Sequence, residues 1–166
     1  MGSQKDTDAR WTKKNDEVHC GYKGHVAVDH AHKLIQDYAV TSAEVHDSQA
    51  FEEILTENTS KDVWADSAYR SEEKELILDI MGYRSHVHKK GKKNKPLSTR
   101  DHKANKRKST VRVRVEHVFG SITNEQGGLY FRVIGLCRTK VNVGMMNLVY
   151  NMRRLVTLNR ISVSII

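Results

Sequence analysis

Two acidic side chains in this 166-residue chain sit in settings that suit metal chemistry. Asp66 ends the strand-like run Asp62-Val63-Trp64-Ala65-Asp66 and precedes Ser67-Ala68-Tyr69. Glu116 lies on the basic, helix-like run Val111-Arg112-Val113-Arg114-Val115-Glu116-His117-Val118-Phe119-Gly120. Between them the stretch from Arg84 to Arg114 holds thirteen Lys or Arg against one Asp, in a chain of formal charge +8. That excess of twelve leaves everything else at about −4, so the basicity is a patch. Carboxylates able to hold a hard divalent ion, beside a surface that attracts phosphate, point to metal-dependent chemistry on nucleic acid.

Each feature also has a plainer reading. Strand periodicity puts Trp64 and Asp66 on one face and Val63 and Ala65 on the other. A carboxylate at the C-terminal end of a strand lies where α/β sheets bind ligands, but Asp66 also suits a turn or cap before Ser67. On a helix, Arg112, Glu116, Phe119 and Thr123 form a stripe beside the apolar face of Val111, Val115, Val118 and Ile122. Glu116 can therefore border a cleft, or it can simply pair with Arg112 at i, i+4 for a few tenths of a kcal/mol. Candidate phosphate contacts in the patch are Lys89, Lys90, Lys92, Lys93, Lys95, Lys106, Arg107, Lys108, Arg112 and Arg114. The alternative is a solvated loop without a partner.

Composition narrows the class. With 38% hydrophobic and 29% charged residues the chain suits one folded domain with a real core. The pI of about 9.5 favours a polyanionic partner. Cys20 and Cys137 have no paired spacing, and His86 and His88 read as surface histidines beside lysines. No apolar run approaches the roughly 20 residues of a membrane span, and the polar N-terminus lacks the apolar core of a signal peptide, so a cytoplasmic protein is expected. A phosphate-binding Gly loop, a nucleophile elbow and a dinucleotide fingerprint are all absent.

The elements that must position the acids follow from local patterns. Residues 1–17 read as an irregular polar arm, and 18–166 as the domain. Tyr22–Asp29 and Leu34–Val40 form a hairpin. Asp47 or Ser48 caps a helix bearing Phe51, Ile54 and Leu55, which ends at Asn58-Thr59-Ser60. A strand at Asp62–Asp66 leads to a helix opened by Ser71, with Glu72 and Glu73 in its first turn, and closed by Gly82. Tyr83–His88 is a further strand, and the stretch at about 89–108 reads as a basic loop. Helices over about Ser109–Glu125 and Lys140–Leu158 finish the chain, with Gly127-Gly128 between them. The second carries Met145, Leu148, Val149, Met152, Leu155 and Val156 on one face. The class is α/β, a mixed sheet covered by helices.

Several segments resemble the C-terminal catalytic region of DDE-type transposases of bacterial insertion sequences. They are Trp11–Lys14, Gly21–Val28, Thr41–Ser48, Ala65–Arg70, Arg112–Gly120 and Gly144–Arg154, spread from about Gln4 to Leu158. Arg-Val-Glu-His-Val-Phe-Gly at 114–120 is the most specific, followed by Ala-Asp-Ser-Ala-Tyr at 65–69. The resemblance implies a ribonuclease-H-like mixed sheet flanked by helices, and three carboxylates that hold two divalent ions, usually Mg²⁺, with Mn²⁺ as a substitute. It makes Asp66 the second acid, on the fourth strand, and Glu116 the third, on the late helix; these two are the expected catalytic and metal-binding residues. Arg112 matches a family arginine one turn before that glutamate, with a phosphate-clamp role at the transposon end. Where relatives often carry a tyrosine and a lysine, this chain has Ser109 and Thr123.

The first acid of that pattern, and the first, central strand that bears it, are missing from the resemblance. Asp6 and Asp8 lie in the polar arm, and Asp29 ends the family's second strand, so none takes its place. The expected function is therefore a catalytic fragment for phosphodiester cleavage and strand transfer in DNA transposition, inactive by itself and only weakly metal-binding. The loss of a central strand also predicts a marginal fold, because unpaired edges are costly. The alternatives are a non-catalytic DNA-binding or inhibitory product and a decayed remnant. Transposon-end DNA is the expected partner, with full-length transposase or a homodimer as protein partners and no membrane.

Overall fold

A computed structural model describes residues 5–14, 16–55, 60–91, 96–128 and 130–163. Alternating side chains and a tight turn at Asp16, whose φ is 65°, make an antiparallel ribbon of β1 (Arg10–Lys14) and β2 (Glu17–Val28). The arm expected to be irregular therefore contains a strand: Arg10 to Lys14 pair in register with Gly21 to Glu17. The first half of β2 supplies the backbone partners that the arm's polar composition does not advertise.

The expected hairpin forms. Over Tyr22–Val28 β2 pairs with β3 (Ile35–Ser42), with an irregularity at Ala27/Val28. Asp29 closes the turn, its backbone N–H bonded to Leu34 O at 2.8 Å. The segment after β3 is not a regular helix. It makes two 3₁₀ turns, Asp47–Gln49 and Glu53–Leu55, held by i→i+3 bonds from Ala50 N to Asp47 O and Leu55 N to Glu52 O. Tight turns of this kind serve short connectors. The expected stop at Asn58-Thr59 lies outside the described residues.

A βαβ unit carries Asp66. β4 (Asp62–Val63) runs parallel to β5 (Arg84–Ser85), and α1 (Glu72–Ile80) crosses between them. The ladder hydrogen bonds outrun the assigned strands, with His86 N to Val63 O at 2.8 Å and His88 N to Ala65 O at 3.2 Å. Ser71 caps α1 by accepting from Lys74 N at 3.1 Å, three glutamates occupy the first turn, and Gly82 follows the end with a φ of 75°. Phe51, Leu55, Val63, Leu78 and Val87 are the buried core of this unit.

α2 (Thr99–Glu125) bears Glu116 and starts ten residues before the expected position. The second half of the supposed basic loop is thus helical. Ser98 accepts from Asp101 N at 3.1 Å and donates to its carboxylate at 2.7 Å, a reciprocal cap that fixes the start. Lys92, Lys93 and Lys95 lie outside the described residues. Val118 and Ile122, from the anticipated apolar stripe, are fully buried with Ile35 and Tyr150.

α3 (Leu136–Val163) is longer than expected and docks by a different face. Met145, Leu148, Val149, Met152, Leu155 and Val156 are 41–59% exposed, whereas Thr139, Val143, Asn147 and Tyr150 are buried. The reason is the edge of β3, whose backbone groups need partners. Asn151 accepts from Ile35 N at 2.9 Å and donates to Ile35 O at 2.8 Å, and the Tyr150 hydroxyl donates to Lys33 O at 2.8 Å. Gly144 allows the approach, since a Cβ there would collide with the Tyr38 hydroxyl. The arm caps this helix: Asp6 accepts from Gly135 N and Asp8 from Leu136 N, both at 3.0 Å. The Gly135 bond and the Tyr22 hydroxyl hold the Asp6 carboxyl down to about 2.

The β1–β2–β3 sheet and the β4–β5 pair are separate. Between them lies a groove of about 650 Å³, lined by Gly24–Asp29 of β2 and its turn, Asp62–Asp66, and Val111, Arg112, Arg114, Val115, Glu116 and Phe119 of α2. No helix among the described residues is long and apolar enough to cross a membrane.

Candidate active site

Asp66 and Glu116, 50 positions apart in sequence, meet through one arginine on the wall of this groove. The Arg112 guanidinium donates from Nη1 to Asp66 Oδ2 at 2.8 Å and from Nη2 to Glu116 Oε1 at 3.0 Å. Both plain readings of the acids hold in part. Asp66 is the cap of a 3₁₀ turn at Ser67–Tyr69, its Oδ1 accepting from Ser67 N at 2.6 Å, and Glu116 does pair with Arg112 at i, i+4. Sequence spacing could not indicate that a single guanidinium bridges the two. Arg112 Nε is buried and has no hydrogen-bond partner among the described residues, so one strong donor is left over.

Two further side chains support Asp66. His88 Nδ1 lies 3.8 Å from its Oδ1, while burial and the neighbouring Arg112 charge push the His88 pKa down. The buried His25 ties β2 to the turn that carries Asp66, with Nδ1 3.2 Å from the Tyr69 hydroxyl and Nε2 3.1 Å from Thr41 Oγ1. Burial lowers its pKa as well. The sequence offered one hint for His88, its alternation with Val87 on a strand-like run. For His25 it offered none, because the contact depends on a turn 44 residues away.

The basic candidates differ in setting. Lys90, Lys106 and Arg107 are exposed. Lys89 is committed to Asp101 at 2.7 Å, and Lys108 donates to Val87 O at 2.9 Å, with burial lowering its pKa. Arg114 lines the groove beside Arg112. Among the described residues no group of three His, Cys, Asp or Glu side chains is placed to hold a metal ion.

In the same groove, Trp64 stacks against two imidazoles. Its ring stacks on His30 at 5.3 Å between centroids and 20° between planes, and on His86 at 4.9 Å and 13°. Asp62 anchors the inner end, accepting from His86 Nε2 at 2.8 Å and from Arg84 Nη2 at 2.7 Å.

Comparison with known proteins gives the family. The family described as Transposase DDE domain matches residues 2–152. A similar protein, the transposase for insertion sequence element IS1106 of Neisseria meningitidis serogroup B, is 33% identical over 120 residues. That match takes in 71% of this chain and 41% of the relative, so the chain spans about two fifths of that relative's length. No solved structure matches. With a family match over nearly all of its length, the chain belongs to the DDE transposase family.

Proposed function

We propose that this chain is a fragment of the catalytic domain of a DDE-type transposase, acting on transposon-end DNA in the cytoplasm. The observation that carries the reading is the Asp66–Arg112–Glu116 bridge on the groove wall. Residues 18–166 then form one partial ribonuclease-H-like domain. The groove supports a missing central strand: over Tyr22–Val28 β2 pairs with β3 alone, and β4 pairs with β5 alone, among the described residues.

The donors fit a hard divalent ion in kind, since both are carboxylates. Asp66 and Glu116 would hold Mg²⁺ or Mn²⁺. When bound, the ion supplies charge stabilisation at a phosphodiester and an activated oxygen nucleophile. Arg112 must first give up its two carboxylate bonds, and a phosphate offers its guanidinium equivalent acceptors in the same fork geometry. The unpaired Nε donor supports this transfer. The exposed Lys106 and Arg107, with Arg114 in the groove, extend the phosphate-binding face along α2, and the exposed Lys90 precedes that helix.

The resemblance places two of the three acids that the chemistry takes, Asp66 and Glu116, and on this reading the chain by itself does not cleave DNA. A plasmid-nicking assay with Mg²⁺ or Mn²⁺ tests this: no nicking is expected. Nicking by the unmodified chain that disappears in both Asp66→Ala and Glu116→Ala would overturn the inactivity. The exposed cations favour a second reading, a non-catalytic binder that occupies transposon ends or pairs with full-length transposase or with itself. Binding that falls steeply with salt and ignores EDTA supports that role.

A further inference from the structure

The outward face of α3 has the spacing of a helix–helix seam. Val141, Met145, Leu148, Met152 and Leu155 follow one another at alternating steps of four and three residues, and Val149 and Val156 border them one heptad apart. All seven side chains are exposed. At about 100° per residue they centre opposite Val143, Asn147 and Tyr150, the buried side by which the helix docks on its own chain. The seam therefore faces away from the body that carries it.

Charge and area together select what can cover this face. From Val141 to Asn159 the only charged side chains are Arg153 and Arg154, and both turn back to their own chain. Arg153 Nη2 lies 2.8 Å from Glu125 Oε2, and Arg154 Nε donates to His32 O at 2.7 Å. A partner with charged flanks would find no counter-charge along the seam, whereas a second copy brings an equally neutral face. The seven side chains leave roughly 700 Å² open per copy, against roughly 300–600 Å² for the largest apolar patch of a typical monomer and about 800 Å² per partner in a standard interface. We infer that α3 pairs with α3 of a second copy in an isologous two-helix seam, with Leu148 and Met152 at its middle. The pairing does not depend on the nucleic-acid reading, because no candidate phosphate contact lies on α3.

Sedimentation velocity of the full chain without DNA, over a concentration series, tests the pairing. A reversible dimer of twice 19.0 kDa is expected. Leu148→Glu or Met152→Glu should raise the dissociation constant at least about 100-fold, because each puts two carboxylates into an apolar seam. Met152→Leu should keep the dimer, and so should Ile80→Glu, at an exposed position of α1 outside the seam. If the glutamate variants do not fold, methionine oxidation in the unmodified chain decides the matter. Dilute peroxide should oxidise Met145 and Met152 more slowly at concentrations where the dimer forms, while the exposed Met81 at the end of α1 keeps its rate. A monomer throughout the series, a dimer that survives in folded Leu148→Glu and Met152→Glu, or oxidation of Met145 and Met152 that is indifferent to concentration overturns the pairing. Salt-sensitive DNA binding by a monomeric chain would overturn the pairing and leave the transposon-end reading standing. A dimer that ignores DNA would do the reverse.

Discussion

Replacing Arg112 by glutamine removes the cation that holds Asp66 and Glu116 together, and three consequences follow. The side chains of Arg112, Asp66 and Glu116 are 32%, 46% and 57% exposed, so both ion pairs are heavily screened. Pairs of this kind contribute about 0.2–1 kcal/mol each, and i, i+4 helix pairs about 0.3–0.5. The combined loss is about 1 kcal/mol, which lowers Tm by about 2–4 °C for a domain of this size. The same guanidinium competes with any metal ion for both carboxylates. Removing a competitor of about 1 kcal/mol tightens Mn²⁺ binding by up to about 5-fold. DNA affinity should fall, because a bidentate phosphate donor is lost. Thermal melts at low and high salt, Mn²⁺ titration followed by electron paramagnetic resonance, and anisotropy with duplex DNA read the three effects separately. The stability difference should shrink at high salt. If Arg112→Gln left Mn²⁺ affinity unchanged or weakened it, the guanidinium would not be the competing cation and the reasoning would fail.

Other perturbations have equally definite outcomes. Asn151→Leu leaves both backbone groups of Ile35 without partners and should cost about 1–3 kcal/mol, read as a lower Tm with an unchanged DNA salt slope. Burial lowers the folded-state pKa of His25 below its ordinary 6.5, so in that window the unfolded chain binds more protons. Stability should therefore drop as pH falls below about 6.5, and His25→Gln should flatten the decline in melts between pH 7.5 and 5. Lys106→Gln and Arg107→Gln should each reduce the salt slope of DNA binding by about 1. Lys108→Gln should instead lower stability with little change in slope, because its ammonium is bonded to Val87 O; a reversed pattern would move the phosphate-binding face off α2.

Local chemistry made a good part of this molecule legible. Alternation marked the β2–β3 hairpin, Ser71 with its following glutamates opened α1, and the Val118 and Ile122 stripe marked the buried side of α2. These signals act within one or two turns of chain, where hydrogen bonds and periodicity are written in neighbouring residues. The start of α2 is equally local, since Ser98 and Asp101 already spell its cap.

Tertiary structure alone decided the rest. Apolar spacing assigned the wrong face of α3 to the core, because backbone groups of Ile35 in β3 and of Lys33 in the preceding turn drew in Asn151 and Tyr150 and left the methionine and leucine face outside. Asp6 and Asp8 became caps for a helix about 130 residues away. Arg112 became a bridge between the two acids, and Trp64 stacked against two imidazoles from other segments. Each of these outcomes satisfies a donor, an acceptor or a ring face with a partner distant in sequence. Amino-acid order by itself fixes which groups need partners; only the folded chain, by bringing remote segments within hydrogen-bond and stacking distance, selects which partners they take.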